Sequence, residues 1–254
     1  MPFTIAHPAA VLPFKRYPRY FSMTALVLGS MSPDFEYFIN FAVKRTVGHT
    51  YAGIFIMDIP LVILFAVIFH HIVKVPFIRH LPNPLSEWYY PYTLTNRRIP
   101  NLMEILVFLY SALIGITTHI LWDGFTHANG LFVQKISLLN EAVTIGAYSI
   151  PIYKLLQHGS SLLGLYILFA YLFSIRSRTR NIGKISGQRK FKFWTTTLFI
   201  TIILLIAANM TYKFDGIIPL FGKLITSSIS SVAVGVIASC IIFRRNAPVR
   251  KYKR

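Results

Sequence analysis

The residues richest in possible chemistry are Thr118-His119-Ile120-Leu121-Trp122-Asp123-Gly124-Phe125-Thr126-His127. On a helix, His119 and Asp123 share one face about 6 Å apart along the axis, and Asp123 and His127 repeat the relation. That is a fitting bite for one divalent ion or for a His–carboxylate hydrogen bond. On an unbroken helix His119 and His127 stand about 12 Å apart. One ion then reaches all three only if the helix stops at Gly124 and the chain turns back, or a carboxylate bridges two ions. A buried His–Asp pair, or polar residues at a membrane interface, would have the same spacing. These residues alone leave the metal and structural roles open.

Three more polar positions fall in the first fifty residues: His7 in His7-Pro8-Ala9-Ala10, Asp34 in Gly29-Ser30-Met31-Ser32-Pro33-Asp34, and His49 in Gly48-His49-Thr50. Singly, each has a plain reading. His7 suits a helix start or an interface, Asp34 a turn after Pro33, and His49 a loop. Together with His119 and Asp123 they form a set of imidazoles and carboxylates that suits zinc or another divalent first-row metal. Glu36 and His127 lie close enough in sequence to serve as a general base or a further ligand.

The elements that must carry these groups are set by the solvent the chain is built for. Hydrophobic residues make up 54% of 254 and charged residues 13%, against about a quarter charged in a soluble domain. The mean hydropathy is +0.56. A hydrocarbon core takes roughly 20 mostly apolar residues to cross as a helix. Ile54–Val73, Leu102–Trp122, a stretch within Ile145–Ile175, Trp194–Met210 and Leu224–Phe243 all qualify. In the third, His158-Gly159-Ser160-Ser161 predicts a short outer helix before the crossing proper. A weaker candidate, Phe21–Phe41, is interrupted by Ser30, Ser32, Pro33, Asp34 and Glu36. The expected fold is an all-α polytopic membrane bundle of five or six transmembrane helices, one integral membrane domain over residues 1–254.

Lys and Arg number 26 against 8 Asp and Glu. The cations cluster between apolar runs, which is the positive-inside pattern and argues against a nucleic-acid partner. Arg176, Arg178, Arg180, Lys184, Arg189, Lys190 and Lys192 make 176–193 a cytoplasmic loop. Arg244, Arg245, Arg250, Lys251, Lys253 and Arg254 make 244–254 a cytoplasmic tail. Counting back, Lys74–Asn101 lies inside, and the loops around Gly48 and Gly124–Thr144 lie outside. The expected setting is the cytoplasmic (inner) membrane, with the lipid bilayer as partner and anionic head groups at the basic loops. The N-terminal motif region, residues 1–52, has two readings. Lys15, Arg16 and Arg19 favour a sixth span, whereas the broken apolar run and the need to bring His7 to the outer face favour a re-entrant segment and five. The start does not read as a cleavable signal peptide. Cys240, the one cysteine, sits in an apolar run and reads as a buried core residue.

At these motifs the chain resembles a bacterial membrane-protein family catalogued as a domain of unknown function. The resemblance rests on Met1-Pro2-Phe3-Thr4 with His7-Pro8-Ala9-Ala10-Val11-Leu12-Pro13, on Gly29 to Phe38, and on Thr118 to His127. More distantly, the order His7, Pro33-Asp34, His49 and His119-x-x-x-Asp123 is similar to membrane-bound metal-dependent hydrolases and helical zinc-dependent phospholipases C. That resemblance implies metal ligands at His7, Asp34, His49, His119 and Asp123. There is no second His-x-x-x-Asp/Glu pair after His127, which departs from the pattern of a three-metal site.

The expected function is therefore a metal-dependent hydrolase acting on a lipid or phosphodiester at the external membrane face. The competing expectation is a transporter or assembly factor whose His/Asp cluster is structural. In that reading Asp58, Glu104 and His70-His71 would mark a path through the bundle.

Overall fold

A computed structural model describes residues 3–44, 46–94, 100–146, 148–177, 185–210 and 217–244. The chain opens as a 3-10 helical segment, Thr4–Arg16, whose shape suits Pro8 and Pro13. Helices α1 (Met23–Gly29) and α2 (Phe35–Ile39) follow, with a 3-10 turn, Ser32–Asp34, preceding α2. The long helices are α3 (Tyr51–His80), α4 (Leu102–Thr126), α5 (Ile152–Ser174), α6 (Gly187–Met210) and α7 (Ile217–Phe243). A two-stranded antiparallel hairpin, β1 (Ala142–Ile145) with β2 (Tyr148–Pro151), leads into α5, pairing Val143 with Ile150.

Among the described residues, five helices are long and apolar enough to cross a membrane. The shortest, α5, has 23 residues and rises about 35 Å, enough for a hydrocarbon core of about 30 Å. The Phe21–Phe41 stretch is not among them. Pro33 and its neighbours break it into α1 and α2, of 7 and 5 residues, far short of a crossing. Helix α5 differs from the two-part expectation because its polar tetrad stays helical. Ser160 and Ser161 both donate their hydroxyls to the Gln157 carbonyl, at 3.3 and 2.7 Å. Helix α3 runs beyond its apolar stretch to His80. Two wider, π-helical stretches, Ile54–Asp58 and Phe69–Val73, precede Pro60 and Pro76, where the missing N–H and the ring's clash with a carbonyl would otherwise break the ladder.

The chain forms two compact units, the first made of Met1–Phe35, Thr46–Ile63 and Pro100–Ser174, the second of the rest. In the first, α1 lies against α4 at backbone contact. A Cβ on Gly29 would overlap the Ala112 carbonyl oxygen, and one on Gly115 the Leu26 carbonyl oxygen. Small residues at a helix crossing serve packing in lipid, where no hydrophobic force drives helices together. Val11, Ala25, Leu26, Val62, Ala112 and Ile116 are fully buried around this contact, and the Ser22 N–H donates to Ser111 Oγ at 3.0 Å. In the second unit, α6 and α7 are joined by polar bonds, Thr197 to Ser239 at 2.8 Å and Asn209 to Ser227 at 3.1 Å. Trp194 Nε1 donates to the His80 carbonyl at 2.8 Å, and Cys240 is buried there as expected.

Candidate metal centre

All the histidines that matter converge in the first unit, at the end of α4. His119 is fully buried, and its Nδ1 meets the Ser30 carbonyl at 2.8 Å. Only an N–H can bond a carbonyl, so the ring carries a proton on Nδ1, and the neutral imidazole then presents its lone pair at Nε2. This is the arrangement that prepares an imidazole to bind a metal. The close α1–α4 contact is what brings the Ser30 carbonyl to this ring. Asp34 is buried in the 3-10 turn after α1; its Oδ2 accepts the Thr4 hydroxyl at 2.5 Å, which leaves Oδ1 turned toward the histidines. His49 precedes the start of α3, which Thr50 caps by accepting the Gly53 N–H at 2.9 Å.

One ligand atom each from Asp34, His49, His119 and Asp123 lies within 4.8 Å of the other three. His119 Nε2 is 3.4 Å from Asp123 Oδ2 and 3.8 Å from Asp34 Oδ1. His49 Nε2 is 3.6 and 3.9 Å from the same two oxygens. Zinc bonds of about 2.0–2.2 Å to nitrogen and oxygen set tetrahedral ligand edges of about 3.3–3.6 Å. The two spacings to Asp123 Oδ2 match those edges, and the two to Asp34 Oδ1 exceed them by a few tenths of an ångström, short enough to close on an ion. His119 Nε2, both His49 nitrogens, His7 Nε2 and Asp123 Oδ1 are buried without a hydrogen-bond partner among the described residues. Such atoms in and beside the cluster are costly without an ion, since each unsatisfied buried polar group costs about 1–3 kcal/mol. Their donor chemistry, two imidazoles and two carboxylates, fits a divalent first-row ion.

Asp123 divides the site. Its Oδ2 faces His49 and His119, while Oδ1 faces His7 Nε2 at 3.7 Å and His127 Nδ1 at 3.5 Å. The two histidines of α4 thus approach opposite oxygens of the carboxylate between them. This works without the turn at Gly124, because the helix continues to Thr126 with His127 capping it. His7 stacks on His119 with ring centroids 3.9 Å apart. Burial, helped by the neighbouring His119 ring, holds the His7 pKa down at about 3, so the ring is neutral. His127 Nδ1 meets the Asp123 backbone carbonyl at 3.2 Å, which directs its Nε2 lone pair toward Gln157 Nε2 at 3.5 Å. Burial also lowers the pKa of His127, an effect that Asp123 partly offsets.

Glu36, expected near the cluster, is buried on α2 in the second unit and is not one of the four grouped residues. Glu104 has a structural explanation. It and Asn101 form a capping box at the start of α4, with reciprocal bonds of 3.0 and 2.9 Å. His70 and His71 are exposed on α3, and Asp58 is fully buried. Thr4, Ser30 and Gln157 also contact the cluster, and residue type alone does not single them out. Thr4 closes Met1-Pro2-Phe3-Thr4 and Gln157 adjoins the polar tetrad, whereas a backbone carbonyl such as that of Ser30 leaves no trace in residue type.

Among the described residues, five crossing-length helices and little strand define an all-α, multi-pass membrane protein with a His/Asp cluster that could hold a metal ion. Residues 1–243 match the family described as Domain of unknown function (DUF4184), and the chain belongs to that family. Neither the curated proteins nor the solved structures include a significant match.

Proposed function

We propose that this chain is a metal-dependent hydrolase of a lipid or phosphodiester, acting at the external face of the cytoplasmic membrane. The observation that carries the reading is the convergence of Asp34, His49, His119 and Asp123 with their inward nitrogens unpartnered. These four would hold the ion, zinc being the best fit to the donor set. A bound divalent ion would supply Lewis acidity, lowering the pKa of water and polarising the scissile group. The remaining steps belong to side chains. Thr4 orients Asp34, and the Ser30 carbonyl fixes the tautomer of His119. His127, beside the four, would take a proton as water oxygen bonds to phosphorus or acyl carbon and return it to the leaving oxygen as that bond breaks, once its Nε2 lone pair parts from the Gln157 amide 3.5 Å away. His7 stands on the opposite side of Asp123, with Nε2 3.7 Å from Oδ1.

Sidedness rests on the cations. With 176–193 and 244–254 on the cytoplasmic side, where they would also meet anionic head groups, the end of α4 and the start of α3 face outward. Residues 178–184 and 245–254 of those segments lie outside the described residues. Metal analysis of the detergent-purified chain tests the central point. Stoichiometric zinc or manganese that disappears in the double variant Asp34→Ala, Asp123→Ala is the expected result. A metal-free chain whose stability those substitutions do not change would defeat the proposal and favour a structural cluster.

A further inference from the structure

A cavity of about 250 Å³ opens beside the cluster, within the first unit. Its walls come from the N-terminal 3-10 segment, α4 and α5, and include His7, Ala9, Ala10, Trp122, Gly164 and Ile167. At Gly164 the N-terminal segment and α5 touch closely along one edge of the cavity. A Cβ on Gly164 would stand 2.9 Å from the Ala6 carbonyl oxygen. The two helices that frame it have membrane-crossing length and composition. On α5, Leu163 lines the cavity, and the nearby Leu162 and Tyr166 are strongly exposed, as residues that face acyl chains would be.

We infer that this cavity is the alkyl-chain subsite of the substrate, so that the substrate is a membrane lipid rather than a water-soluble phosphodiester. The inference rests on the hydrolase reading for the word substrate; the chain site itself rests on the cavity. A soluble phosphodiester has nothing to place against alanine, glycine and isoleucine. The polar members of the lining are His7, Thr118, Ser160 and Ser161, so water has partners at those points and little to bond along the rest of the wall. At roughly 30 Å³ per methylene, taking the share of one liquid water molecule, the space takes about eight carbons. His7 fixes the direction of the bound molecule. It lines the cavity, and its Nε2 is 3.7 Å from Asp123 Oδ1, so a chain seated here ends one side chain from the cluster. Trp122, on the cavity wall and bonded through Nε1 to Ser160 Oγ at 3.1 Å, belongs to the same rim.

Trp122 provides the readout. In the full chain carrying Trp88→Phe and Trp194→Phe, Trp122 fluorescence is measured in detergent micelles titrated with phosphatidylglycerol bearing a dibrominated acyl chain. Saturable quenching is expected. It should weaken about tenfold in Ala10→Phe, which fills the cavity from an exposed position, on the scale of overpacking an occupied site. Ile167→Phe narrows the same space from α5 and serves if Ala10→Phe folds poorly. Quenching that only rises in proportion to the brominated fraction, or that neither variant changes, overturns the inference. Zinc content measured on the same samples tests the hydrolase proposal separately. Zinc-free chain with saturable, Ala10-sensitive quenching would defeat that proposal and still support the alkyl-chain site.

Discussion

Replacing Asp123 by Asn tests the proposed metal centre at the residue that joins its parts. Asp123 faces four imidazoles, His119 and His49 at 3.4 and 3.6 Å from Oδ2, and His127 and His7 at 3.5 and 3.7 Å from Oδ1. The amide keeps the shape of the side chain and removes its charge, so the variant should fold yet fail to hold the ion. A ligand that binds only the folded state adds about 2.7 kcal/mol when its free concentration is 100 times its Kd. For a chain of this size each kcal/mol moves the unfolding midpoint by about 2–4 °C, so zinc should raise it by about 5–10 °C. The assay is thermal unfolding of the detergent-purified chain after chelation, with and without zinc, followed by tryptophan fluorescence. The unaltered chain should show the rise and Asp123→Asn should show none. A metal-insensitive midpoint in the unaltered chain, or a full rise in the variant, would refute the reasoning.

Thr4→Val removes the hydroxyl that orients Asp34 and should weaken zinc binding about 10–100-fold in a chelator competition; unchanged affinity would show that Asp34 needs no support. His7 gives the metal-free chain a pH dependence. Its pKa is about 3 folded against 6.5 for the free side chain, so between those values the unfolded chain binds more protons. Stability should fall as the pH drops through that window, by up to about 1.4 kcal/mol per unit, and His7→Gln should flatten the slope in denaturant titrations. Gly115→Val sets a side chain against the Leu26 carbonyl and should cost about 1–3 kcal/mol while abolishing zinc binding; a variant with native zinc content would show that the α1–α4 contact does not position the site. A membrane-impermeant thiol reagent should label Ala128→Cys from outside intact cells, since Cys240 is buried and does not compete; protection of that cysteine would reverse the proposed orientation.

The sequence by itself determined the class of fold, because a bilayer demands long apolar runs and the five that qualified became the five crossing-length helices. Their ends were less legible. Helix α3 continues to His80 and α5 stays whole through Ser160 and Ser161, since helical hydrogen bonding and hydroxyls bonded back to the helix tolerate polar residues that a hydropathy count reads as breaks. Of the candidate centre, the His119–Asp123 relation was legible as a four-residue period. Tertiary structure alone decided that Asp34 and His49 join that pair and that His119 and His127 approach different oxygens of Asp123. The bond from His119 to the Ser30 carbonyl spans 89 positions of sequence. It depends on Gly29 and Gly115 letting two backbones touch. Periodicity records which residues share a face of one helix; it carries nothing about how closely two helices meet, and that distance is what assembles this site.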